Sequence, residues 1–175
     1  MKEQKGITLI ILTITIVIMM ILAGITTYYG TQLIRQSKLQ DLVTNMLLMQ
    51  AKAKECLEEV SFKSANITDT TKLNEIIKEN LKGQRLKDSD EIKKAAIKTG
   101  VIDESSITNE ETNQKYYYYL SESDLKDMGI QELSKEDYGY FVIEYNLKDT
   151  KIEVINTKGY LGKYTLTAIN KLTEE

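Results

Sequence analysis

ITLIILTITIVIMMILAGI, residues 7–25, runs for nineteen residues without a charge. At a rise of ~1.5 Å per residue, a helix of that length measures about 28 Å, close to the roughly 30 Å hydrocarbon core of a bilayer. The run therefore reads as a membrane-spanning helix. Tyr28 and Tyr29 follow where an interfacial aromatic belt belongs. Lys2 and Lys5 precede it, and positive charge favours the cytoplasmic side. The expected orientation puts the amino terminus inside and the bulk of the chain outside. Two other readings of the run stay open, an uncleaved signal anchor and a cleaved signal peptide. The second fits less well, because a secretory core spans ~7–15 apolar residues before a small-residue site. Leu22-Ala23-Gly24-Ile25 matches such a site poorly, and Ile25 stands where a lipoprotein box needs Cys.

Beyond the run the helix is expected to continue. Leu39, Leu42, Val43, Met46, Leu47, Ala53, Leu57 and Val60 recur at helical spacing, with Lys38, Asp41, Asn45, Lys52, Lys54 and Glu55 between them. No Gly lies between Thr31 and Lys82, and the chain has no Pro to kink a helix. One long helix over residues 7–60 follows. Its apolar stripe reads as core for the domain that folds on it. A coiled-coil seam needs a longer and more regular repeat.

Residues 61–175 read as a small α+β head. The spacing predicts a helix from Thr71 through Leu73, Ile76, Ile77 and Leu81, stopped by Gly83. Asp88 and Glu91 resemble a capping box for a second helix, residues 88–99, closed by Gly100. Ser121 and Asp124 cap a third, ending near Met128 and Gly129. Residues 116–120 form a strand, its tyrosines expected to lie half in the core and half on the surface. Residues 140–145 alternate, with Phe141, Ile143 and Tyr145 facing one way and Val142 and Glu144 the other. After a turn at Lys148-Asp149-Thr150, residues 152–155 return as the partner strand of a hairpin. Gly159, Tyr160, Gly162 and residues 164–166 make a last short strand or loop.

The junction Lys5-Gly6-Ile7-Thr8-Leu9-Ile10 resembles the leader junction of type IV prepilins and of the pseudopilins of type II secretion. Those proteins carry a short basic leader ending in Gly, then Phe or Met and Thr-Leu-Ile-Glu at the head of a hydrophobic helix. The resemblance covers about 25 residues. It implies cleavage between Gly6 and Ile7 by a prepilin peptidase and N-methylation of Ile7. Ile7 replaces the usual Phe, a mild change. Ile11 stands where the family has Glu, which is not mild. A charge at mid-bilayer costs ~2.5–3.5 kcal/mol, so Ile11 eases insertion while removing the partner of a neighbouring amino terminus. Such a subunit suits a filament tip or a plain anchor. The implied organisation is a leader over 1–6, a transmembrane helix over 7–29, its amphipathic continuation over 30–60 and an extracytoplasmic head over 61–175.

Composition removes most chemistry. The net charge of −3 gives no electrostatic case for nucleic acid or an anionic surface. Without His there is no Ser-His-Asp or Cys-His catalysis, and one Cys forms neither an intramolecular disulfide nor a zinc-thiolate site. A single Cys in an exported chain accords with a Gram-positive envelope, and Cys56 on the apolar stripe reads as a buried thiol. Phosphate-loop and dinucleotide motifs are missing. Asp88-Ser89-Asp90-Glu91 and Asp103-Glu104 lack EF-hand spacing, and helix capping accounts for the first more simply than calcium. The tyrosines at 116–119 offer rings for sugars or bases, though alternating strand tyrosines are more often packing. No catalytic, cofactor or metal residue is expected. The expected partners are the membrane, the peptidase and other pilin-like subunits, through van der Waals packing aided by Thr13 and Thr15. The other class of function is a surface binding module on an uncleaved anchor.

Overall fold

A computed structural model describes residues 3–130, 133 and 135–174, with the backbone alone for 3–10 and 25–32. The chain is α+β, with a long N-terminal helix and a C-terminal antiparallel sheet. It divides into two compact units, Met1–Gln40 and Asp41–Glu175. Helix α1 (Glu3–Ser64) runs through the first and into the second. It extends a few residues past both expected ends, since no Pro stands at either end and Gly6, which it passes through, costs only about 1 kcal/mol relative to Ala. The expected span over 7–29 reaches beyond the side chains described. Among the described residues no helix is long and apolar enough to cross a membrane.

In the second unit the α1 stripe buries Leu42, Val43, Met46, Met49, Ala53, Leu57 and Val60. Leu47, expected on this stripe, is 45% exposed, and Met49 takes its place. At 100° per residue, 49 falls with 42, 53 and 60, whereas 47 lies on the other side of the axis.

The head continues with α2 (Thr70–Asn80), β1 (Gln84–Arg85), α3 (Asp90–Lys98), α4 (Glu104–Thr108), α5 (Glu110–Asn113) and β2 (Lys115–Tyr119). Next come α6 (Glu122–Asp127), α7 (Lys135–Tyr138), β3 (Phe141–Asn146), β4 (Lys151–Tyr160), β5 (Lys163–Thr165) and α8 (Leu166–Asn170). The strands form one antiparallel sheet in the order β1-β2-β3-β4-β5. The expected hairpin is β3–β4, with Val142 opposite Ile155 and Tyr145 opposite Ile152.

Several local expectations change. Helix α2 starts from Asp69, whose carboxylate accepts the Thr71 amide at 2.9 Å, and ends before Leu81 turns extended. Gly83 does not stop it. Its φ of +99° instead lets the backbone pass where a Cβ would sit 2.7 Å from the Tyr119 carbonyl oxygen. The capping box at Asp88 and Glu91 does not form, because Leu86–Asp88 is a 3-10 turn and Ser89 flanks α3 without a side-chain cap. At Ser121 and Asp124 both bonds of the box are present. The segment after Gly159 is a strand and then a helix, α8, capped by Thr165.

The sheet is covered on both faces. Tyr117, Val142 and Ile155 meet Leu86, Ile92, Ala96, Ile102 and Ile107 in one apolar cluster. Tyr116, Tyr118, Ile143, Tyr145 and Val154, on the opposite face by register, are buried too. The expected half-exposed tyrosine strand is thus wrong: Tyr116, Tyr117 and Tyr118 are all buried. So is Val142, and Glu144 is half-buried. Helix α1 joins the sheet through Gln50, whose amide donates to the Ile152 carbonyl at 3.2 Å.

Candidate interaction surface

Gly6 and Ile7 belong to α1, but their side-chain surroundings lie outside the described residues. Ile11 is described and is 56% exposed. It opens a series of ten large apolar side chains between positions 11 and 22, with exposures from 45% at Ile16 to 70% at Met20. Residues 16–22 are exposed at seven successive positions, nearly two full turns, so every side of the helix is bare. Most of these residues are β-branched and lose side-chain freedom in a helix, so propensity alone does not select it; the helix satisfies every backbone N–H and C=O within the segment, which an apolar stretch cannot do with its side chains. Thr15 spends its hydroxyl on its own helix, donating to the Leu12 carbonyl at 2.8 Å. Each exposed Leu, Ile or Met forgoes ~1.5–3 kcal/mol relative to burial. A helix segment that is apolar all round is ordinarily found buried, and in the single chain this one is not.

Within the head, two of the acidic residues flagged for chemistry, Glu91 and Glu104, are held in structural pairs. Glu91 accepts from the Tyr140 hydroxyl at 2.6 Å and from Lys135 at 3.2 Å, and these bonds hold its carboxyl below the ordinary range. Glu104 pairs with Lys93 at 2.9 Å. No group of three or more His, Cys, Asp or Glu among the described residues is arranged to hold a metal ion. Cys56 is half-buried rather than buried, and burial pushes its thiol up, away from the reactive thiolate.

The sequence reading missed the most constrained charge in the head. Glu110 is 2% exposed. Its Oε1 accepts the Tyr117 amide at 2.9 Å, and its Oε2 lies 3.5 Å from Arg85 Nη1 and 3.9 Å from Lys87 Nζ. Burial raises its pKa, opposed by the Tyr117 amide and the two cations. Arg85 lies across the rings of Tyr116 and Tyr118, 5.4 and 5.9 Å from their centroids, and its Nε donates to the Tyr118 hydroxyl at 3.3 Å. The one available signal was compositional: Arg85 is one of two arginines in a chain that otherwise uses Lys.

The tyrosine run is therefore packed and tied from within, and the surface left bare is the apolar helix. No family model matches the chain, and no curated protein or solved structure matches it either.

Proposed function

We propose that this chain is a structural subunit, minor or tip-like, of a type IV pilus or a type II secretion-like pseudopilus. In this reading it sits in the cell membrane through a single span, amino terminus cytoplasmic and head outside. A prepilin peptidase cuts after Gly6 and Ile7 is methylated. The subunit then leaves lipid for a bundle of similar helices. The observation that carries the reading is the bare apolar helix directly behind Lys5-Gly6-Ile7-Thr8-Leu9-Ile10. A helix of that kind needs lipid before assembly and helices after it, and both environments bury it equally well. The long helix ahead of a small α+β head supports the same reading. Ile11 in place of Glu favours the tip, where no subunit above needs a charge partner.

Ile11 also favours a second reading, an uncleaved signal-anchored protein that displays the head for binding. The two part on the mass of the amino-terminal peptide from native membranes. A peptide beginning at Ile7, with or without an added methyl group, supports the subunit; one beginning at Met1 supports the anchor. Gly6→Arg is expected to block processing and filament entry, and an unchanged mature mass in that variant would sink the subunit reading.

A further inference from the structure

The head contains a cavity of about 420 Å³ that neither reading of the N-terminal helix uses. Three separate stretches of chain meet around it: the α1–α2 connection, the end of α5 and the β3–β4 turn. Ser64, Thr70, Asn74, Glu111, Gln114 and Thr150 supply its polar lining. Leu73, Leu147 and Tyr116 supply apolar wall. No Lys or Arg lines it, so an anion finds no countercharge, and Glu111 opposes one directly. Hydroxyl and amide side chains both donate and accept. A ligand that suits them together with apolar wall carries hydroxyls along its edge and C–H groups on its faces. That is the surface of an uncharged sugar ring.

Glu111 is set for such a ligand. Asn74 Nδ2 donates to its Oε1 at 3.3 Å, which ties together two of the polar residues that line the cavity and leaves Oε2 to a ligand hydroxyl. The backbone at the rim is also unusual. Gln114 and Thr150 are left-handed, with φ of 52° and 51°. For a branched residue such as Thr150 that geometry is costly. It is held by clamps: the Leu147 amide donates to the Gln114 carbonyl at 2.9 Å, and Asn146 and Asp149 exchange two bonds of 3.1 Å. Gln114 closes α5 and Thr150 closes the β3–β4 turn, so the two left-handed residues fix the shape of the rim. The volume lies within the roughly 300–1,000 Å³ of small-molecule sites.

We propose that this cavity is a binding site for an uncharged saccharide of one or two rings, with Glu111, Asn74 and Thr150 making the polar contacts and Leu147 and Tyr116 the apolar ones. The site lies wholly in the head, so processing at Gly6 and saccharide binding stand or fall separately.

The test uses the full chain in a phosphocholine detergent, whose headgroup carries no sugar. Saturation-transfer NMR reads binding of glucose, galactose, mannose, N-acetylglucosamine and its β-1,4-linked disaccharide, each at about 10 mM. Glucose 6-phosphate and lysine amide serve as anionic and cationic comparators. At least one uncharged sugar is expected to bind, with the phosphate at least about tenfold weaker. Glu111→Gln should weaken binding about tenfold. Leu147→Trp fills the cavity and should abolish it, with circular dichroism confirming a folded head. Asn74→Trp, on α2, does the same should the turn variant misfold. Silence from every uncharged sugar, binding of lysine amide alone, undiminished affinity in Glu111→Gln or binding that survives a folded Trp variant would each overturn the proposal.

Discussion

Glu110 shows how one residue can set a pH dependence. Its folded pKa is raised by burial, so the folded state holds the proton more tightly than the unfolded chain does. The stability this contributes is fully present below the unfolded pKa of about 4.3. It is lost as pH rises through the folded value, because the unfolded state gives up its proton first. Urea unfolding from pH 4 upward should therefore show the stability of the natural chain, relative to Glu110→Gln, falling with pH and then levelling. Glu110→Ala removes the acceptor of the Tyr117 amide and leaves Arg85 without its carboxylate, at an expected cost of about 3 kcal/mol in the same measurement. Leu161 is the opposite case. It is 79% exposed, and with Gly162 it forms the two-residue link between β4 and β5, at φ of 48° and 74°. Two positive φ values make a type I′ turn, where Asn is far more at ease than Leu. Leu161→Asn should raise the unfolding free energy by about 1 kcal/mol, seen as a higher melting temperature. Neither residue was legible in the sequence. Glu110 sits in the polar stretch 109–114, where nothing in the pattern marks burial, and a Leu in a tight turn contradicts its own propensity.

Elements were legible in proportion to their length and local chemistry. The Ser121–Asp124 box and the β3–β4 hairpin rest on contacts within a few residues, and both form as read. Helices α4, α5 and α8 hold five, four and five residues, too few for an apolar period to show. Asp88 and Glu91 mislead because Glu91 has better partners in Lys135 and Tyr140, more than forty residues along the chain. Strand β4 runs to Tyr160 because Gly159 makes a bulge possible. A Cβ there would lie 2.4 Å from the Lys163 carbonyl oxygen and 2.5 Å from the Tyr164 ring, at a φ of +65°. The buried Asn156 fixes the bend by accepting the Gly159 amide at 2.7 Å and donating to the Tyr138 carbonyl at 2.6 Å. Gly159→Ala should cost about 2 kcal/mol or more, and hydrogen exchange should show the loss first in the β4–β5 amides.

At the level of the molecule, the division at Gln40 and Asp41 separates two kinds of surface. A chain beginning at Asp41 keeps the α1 stripe from Leu42 to Val60 and both faces of the sheet, and gives up only Leu39, which is 7% exposed in the intact chain. It should be monomeric and unfold cooperatively without detergent, whereas the full chain, with its bare apolar helix, should need detergent; analytical ultracentrifugation distinguishes the two. The α+β class and the long helix could be read from the 3.6-residue period and the charge-free run. Coverage of the sheet on both faces could not: four successive tyrosines look the same on either face and suit water or core, and Glu144 gives the face it shares with Val142 a polar look. The sheet's borders carry a further consequence. One edge strand, β1, has two residues, and the other, β5, has three. Helix α8 packs along β4, with the Thr167 amide and hydroxyl bound to the Glu153 carboxylate at 3.0 and 2.6 Å. Edge strands this short, one of them joined through an irregular register, offer a strand from another molecule a poor template. Two heads brought together would thus find little at either border to extend one sheet into the other.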